Sequence, residues 1–486
     1  MQELGNSLNY QAKKIQIDKC GVCMRKYLGD KAFYKMVMLI AIPIMIQNGI
    51  TNFVNLLDNI MIGRLGTEQM SGVAISNQLI FVFNVSIFGA ISGAGIFGAQ
   101  FFGSKNYEGM RNTFRFKFMT CIVMGLIGMV VFYLFRSNLI NLYLSGSVDA
   151  GDPMKTLQYG EQYLVIMLLG LIPFAISQTY SSTLREAGQT LLPMISGIVA
   201  VFVNLVFNYV LIYGAFGLPA LGVQGAAIAT VISRFVECTI IIIWTHKHAL
   251  KNEFIQGVYK TFRIPRHLVL QVTKKGAPLL INEFLWSGGM ATLLQCYSVR
   301  STAVVAGMNI SNTIVNVFNI VFIAMGSAVG ILVGQQLGSG DMKKAKDTAV
   351  KMIFFSVMSC ILIGAVMAAS APFFPKIYKT EPLVQNLATS FILIAAVYMP
   401  FNAFTHAAYF TMRSGGKTGI TFLFDSVFMW LVNIPVAYFL SRYTSIPIVP
   451  LYLMCQGVEL IKCVIGYILV KKGVWLHNIV TDEAYQ

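Results

Sequence analysis

Residues 75–104 read ISNQLIFVFNVSIFGAISGAGIFGAQFFGS, and residues 310–339 read ISNTIVNVFNIVFIAMGSAVGILVGQQLGS. The two stretches align without a gap at a constant offset, and roughly 12 of the 30 positions are identical. Asn77 falls on Asn312, Asn84 on Asn319, Gly95 on Gly330, Gln100 on Gln335 and Gly103 on Gly338. Each copy is apolar enough to cross a bilayer, yet each keeps asparagines inside it. An internal repeat on this scale describes a chain made of two similar halves. Polar groups held at membrane depth then point to a passage between the halves, as in a transporter.

The repeat extends beyond these stretches. Pro43 matches Pro278, Pro173-Phe174 matches Pro400-Phe401, and LREAGQT at 184–190 matches MRSGGKT at 412–418. Pro219 matches Pro447, and Arg234 matches Lys462. The prolines inside apolar runs free backbone groups and permit bends, either as packing kinks or as hinges.

Of the 486 residues, 56% are hydrophobic and 12% charged. A soluble domain carries about 25% charged residues, because its surface must face water. A polytopic membrane protein follows. The formal net charge of +16 does not imply a nucleic-acid partner, because the basic residues alternate from loop to loop. They crowd into 13–35, 105–117, 247–275, 343–351, 413–417 and 471–472, whereas the intervening loops hold only a few, such as Arg64, Arg136, Arg300 and Arg442. That positive-inside pattern places both termini in the cytoplasm of a multi-pass cell-membrane protein.

The expected organisation is a basic leader (1–32), six spans (33–245), a cytoplasmic linker (246–275), six more spans (276–470) and a tail (471–486). The fold class is therefore all-α: twelve transmembrane helices in two six-helix lobes. An even number of crossings in each half gives the lobes the same orientation, so a pseudo-two-fold along the membrane normal relates them. GAGIFG at 93–98 is formally a G-x-G-x-x-G, but with no strand before it the glycines read as close helix packing. No phosphate-binding loop appears, so direct ATP use is not expected. Cys20 and Cys23 form a C-x-x-C without a second ligand pair, and no structural metal or cofactor is expected.

Three acids fall well inside apolar spans: Asp58, Glu283 and Asp425. An ionised acid in hydrocarbon is costly unless it is paired, hydrated or neutralised, so each is a functional candidate. Each also has a plain structural reading, as a helix-end acid or a protonated packing residue. Asn48, Asn52, Asn55 and Asn59 recur at helical spacing beside Asp58 and form a stripe that must face a bundle interior or a wet cavity. Asn204 and Asn208 lie one turn apart in the fifth span, and Thr230 follows in the sixth. Oxygens from Asp58, Asn204, Asn208 and Thr230 suit either a hard cation or a proton-accepting carboxylate in a polar shell. In the second half, Glu283 sits beside Asn282 and Trp286. Asn309, Asn312, Asn316 and Asn319 share one face of the eighth span; Asn402, His406 and Tyr409 share one face of the tenth. His406 is a proton relay or a packing residue. Arg234 with Glu237, and Glu459 with Lys462, read as local neutralising pairs near span ends.

These segments resemble the multidrug and toxic compound extrusion (MATE) family. The resemblance is carried by IAIPIMIQNGITNFVNLLDNIMIGRLGTEQMSGVAISNQ, GAQFFG, GQQLG, REAGQT with RSGGKT, NLVFNYVLIYG and GVQGAAIAT, and it spans about residues 33–470. It implies two six-helix lobes around a V-shaped opening. It also implies export of organic, often cationic, small molecules in exchange for H⁺ or Na⁺. In the family the acid ending the first span is a proton or sodium site, here Asp58. The family's fifth-span Asn and Asp appear here as Asn204 and Asn208, so the second carboxylate is missing. Glu283 matches a seventh-span Glu used by some members, with Asp425 as its expected partner. The expectation is a monomeric secondary antiporter, not an enzyme. A flippase for a lipid-linked precursor and an ion-conducting channel are the alternatives.

Overall fold

The computed structural model describes residues 27–144 and 152–481, leaving aside the side chains of Asn55 and Leu56. Cys20, Cys23 and the side chain of Asn55 therefore lie outside the described residues. The first half comprises α1 (Lys31–Gly63), α2 (Thr67–Gly103), α3 (Tyr107–Leu144), α4 (Pro153–Leu168), α5 (Leu171–Glu186), α6 (Leu191–Tyr213) and α7 (Gly222–Lys247). The second comprises α8 (Arg266–Ser298), α9 (Thr302–Gly338), α10 (Met342–Ser370), α11 (Pro382–Ser414), α12 (Thr418–Tyr443) and α13 (Ile448–Lys472). Helices dominate because a backbone in hydrocarbon must bond within its own segment. Where they start, side chains take up free N–H groups: Asp30 accepts from Phe33 N at 2.7 Å and Asp341 from Lys344 N at 2.9 Å.

Ten of these helices are long and apolar enough to cross a membrane, and α4 with α5, bent by 51°, makes an eleventh. The fourth crossing expected from sequence is thus broken at Leu169-Gly170, just before Pro173. Its repeat mate Pro400 sits inside an unbroken α11. The twelfth crossing is α8. At 33 residues it has the length, but Lys274, Lys275, Asn282 and Glu283 keep its composition too polar to pick it out as apolar.

The first helix of each half begins on the other half. Val37, Ile40, Ala41 and Ile44 of α1 pack into a core with Met325, Val329 and Leu332 of α9. Reciprocally, Leu268, Val272 and Leu279 of α8 pack with Phe97 and Phe101 of α2 and Tyr180 of α5. The segment between α7 and α8 joins this core through Phe254, Ile255 and Val258. Arg115 fixes it further by donating to the carbonyl oxygens of Val258 (2.7 Å) and Gly257 (3.1 Å). The expected linker is thus packed against the first half.

At this end, hereafter the linker end, the repeated motif becomes a symmetric seam. A side chain on Gly103 would collide with the carbonyl of Gln335, and one on Gly338 with the carbonyl of Gln100. Only glycine lets the two backbones come so close. Gln100 Nε2 donates to Ser414 O (2.8 Å), and Gln335 Nε2 donates to Glu186 O (2.7 Å). Ser414 and Glu186 are repeat mates, so one contact is written twice. The chain after α13 seals the seam: Trp475 is fully buried, and Ile479 N donates to Gln100 Oε1 at 2.8 Å.

Candidate cation and substrate site

Moving away from the linker end along α1 and α9, the seam stops near Gly49, which faces Ile320. One turn further, Asn52 on α1 and Asn316 on α9 are exposed, as is Asn312. Exposed amides on membrane helices are stable only against water or other polar groups, which makes Asn52, Asn312 and Asn316 candidates for the lining of a passage between the halves. Asn48 is half-buried. Its repeat mate Glu283 lies one turn beyond Leu280, which packs against Gly89 of α2.

The first half assembles a chain of oxygens and amides. Asn208 Nδ2 donates to Asp58 Oδ1 at 2.6 Å and to Asn204 Oδ1 at 3.2 Å. Asn204 Nδ2 donates to Thr230 Oγ1 at 3.3 Å. Three helices, α1, α6 and α7, thus meet on four residues that the sequence singled out. Asn204 and Asn208 are buried and Asp58 is half-buried. Asn208 Oδ1 is buried with no hydrogen-bond partner among the described residues, which costs about 1–3 kcal/mol unless something supplies a positive charge. Tyr163 joins from α4, donating to Asn77 Oδ1 at 3.2 Å within electrostatic reach of Asp58. Neither Tyr163 nor Asn77 was expected here, although both are polar groups within apolar spans.

The second half is built from different chemistry. Asn282 Nδ2 donates to Asp425 Oδ2 at 3.0 Å, and Ser426 Oγ donates to Asn282 Oδ1 at 2.7 Å. The sequence's pairing of Glu283 with Asp425 appears as electrostatic proximity, with Arg413 also near Glu283. Trp286 is 40% exposed one turn further along α8. His406 sits edge-on to Phe322 (5.3 Å) and Phe410 (5.0 Å), and its Nε2 has no partner. Tyr409 is buried beside Phe410.

One residue changes the expected picture. Lys462 was read as the local partner of Glu459, and that pair exists at 3.2 Å. But Lys462 lies within α13, is only 5% exposed, and also reaches Asp425 Oδ1 at 3.6 Å. The site therefore contains a fixed cation that the sequence reading left out. The companion pair, Arg234 with Glu237, appears as electrostatic proximity, and Arg234 also donates to Gly170 O (3.4 Å) and lies over the Phe174 ring. Asp425 stands in a π-helical turn, Leu423–Val427, and a second one follows at Met429–Asn433. Such wide turns recur at functional sites and have no clear sequence signature.

A sequence profile of the MatE family matches residues 43–210 and 278–439, one stretch in each half. A probable multidrug resistance protein NorM of Thermotoga maritima is 25% identical over 417 residues, covering 84% of this chain and 86% of its own. A probable multidrug resistance protein YoeA of Bacillus subtilis is 24% identical over 423 residues, covering 85% and 88%. A crystal structure of MATE in the bent conformation superposes with a TM-score of 0.81 at 17% identity, over 92% of this chain and 96% of that one. An outward-facing multidrug resistance MATE family transporter of the MOP superfamily gives 0.80 at 17%, over 92% and 97%.

Proposed function

The chain belongs to the MatE family, and from that premise we propose that it is a secondary antiporter exporting cationic or amphiphilic small molecules in exchange for H⁺ or Na⁺. The observation that carries this reading is the buried Asp58–Asn208–Asn204–Thr230 chain with its unpartnered Asn208 Oδ1. A carboxylate among neutral polar groups, with no fixed cation bonded to it among the described residues, suits an exchangeable cation. Glu283, half-buried on α8, offers a cationic substrate a carboxylate in the other half.

Exchange follows if the two ligands favour different arrangements of the halves. Ion binding at Asp58 draws α1, α6 and α7 together, whereas substrate at Glu283 props the halves apart. Each then lowers the affinity for the other by the same factor. The linker-end seam must open for substrate to enter from that side, and its glycine contacts give it a defined closed state.

The test is efflux of ethidium from proteoliposomes under an imposed ΔpH or ΔpNa. We expect one gradient to drive efflux and Asp58→Asn to abolish the coupling. Efflux driven by neither gradient in the wild type overturns the reading. Steady ionic current without counterflow in a planar bilayer points instead to a channel.

A further inference from the structure

We propose that Lys462 is a specificity-determining residue: a tethered cation that holds the Asp425 seat until a cationic substrate displaces it onto Glu459. This inference rests on the transport reading above. Four observations lead to it. The Lys462 ammonium lies between two carboxylates, at 3.2 Å from Glu459 and 3.6 Å from Asp425. Its side chain is more buried (7% exposed) than those of Glu459 (20%) and Asp425 (25%). The acids, not the lysine, therefore present the accessible side. Each acid is also held by an amide, Asp425 by Asn282 and Glu459 by Asn433. The carboxylates are thus fixed seats and the flexible lysine is the moving part. Finally, Asn282 is the immediate neighbour of Glu283, so a cation drawn to Glu283 arrives beside Asp425.

The exchange conserves ion pairs. An incoming ammonium or aromatic cation takes Asp425, and Lys462 keeps its closer partner Glu459, three residues back on the same helix. A compact ammonium on a four-carbon stem can make this short swing. The Phe428 ring, 5.2 Å from the ammonium, lines its path. A neutral substrate gains nothing from displacing Lys462, so the lysine sets how strongly the second half prefers positive charge. An arginine would behave oppositely, because its planar fork can grip both carboxylates at once and release neither.

The experiment compares KM for ethidium with KM for an uncharged aromatic amphiphile of similar size, in proteoliposomes driven by whichever gradient powers the wild type. Lys462→Gln is expected to lower the ethidium KM about tenfold, and Lys462→Arg to raise it severalfold. The neutral substrate should stay within about twofold in both. Lys462→Gln leaves two half-buried acids without a cation, so the charge-balanced Lys462→Gln/Glu459→Gln variant is measured beside it and is expected to lower the ethidium KM likewise. A KM ratio unchanged in the variants that transport overturns the proposal. So does an equal change for both substrates, or a failure of all three variants to fold, which would make Lys462 a structural ion pair. A wild type that moves neither substrate refutes the antiporter reading instead.

Discussion

Asp58 shows how little separates a packing acid from an exchangeable one. Its bonded partner is a neutral amide, Asn208, and no fixed cation among the described residues forms an ion pair with it. Asp58→Asn keeps the shape and removes the charge. Gradient-driven efflux should fall at least tenfold, while the melting temperature of the purified protein stays within a few degrees. Glu283→Gln should raise the ethidium KM about tenfold, roughly 1.4 kcal/mol, and leave an uncharged substrate unaffected. A uniform rise for both would assign Glu283 to packing. At this scale the sequence was largely readable. Asp58, Asn204, Asn208 and Thr230 stood out because polar groups in apolar spans are costly, and the fold brings them within bonding distance. The local pair read for Lys462 is present at 3.2 Å, and only its second partner was missed, for a physical reason. An i, i+3 acid offered it a complete local explanation, and its second partner lies on a different helix.

Elements carry the next level of cost. Lys117 on α3 is fully buried and donates to both carboxylate oxygens of Glu186 on α5, at 2.9 and 2.8 Å. Ser182 Oγ adds a third bond to that carboxylate at 2.6 Å. Removing one partner strands a buried charge, at a cost of about 3–5 kcal/mol. Lys117→Met should therefore lower thermal stability sharply, and Lys117→Met/Glu186→Gln should recover much of the loss. Additive losses in that cycle would show that the two do not act as a pair. Helix positions followed from apolar length, but the 51° break between α4 and α5 did not. Proline occurs at equivalent places in both halves, and only one helix breaks there. The π-turns around Asp425 were equally hidden, since bonding one residue further along leaves residue types unchanged.

For the whole molecule, the repeat forecast two halves, and the seam shows where they are pinned. Gly103→Val or Gly338→Val forces a side chain into the opposing carbonyl and should hold the linker end apart. The readout is thiol labelling of a cysteine placed at the buried Ala99 in a cysteine-free background: labelling should accelerate at least fivefold, about 1 kcal/mol of population shift. Unchanged labelling would mean that the halves close by another contact. The sequence did not disclose that α1 and α8 each start on the opposite half, because an apolar face does not record which surface covers it. That crossing has a genetic consequence. If the reading frame is divided between Lys260 and Arg266, neither product is self-sufficient: one leaves the α2 surface around Phe97 and Phe101 bare, the other leaves Leu268 and Val272 bare. Each fragment made alone should be degraded. Made together in one cell, the two should find each other and restore export without any covalent link.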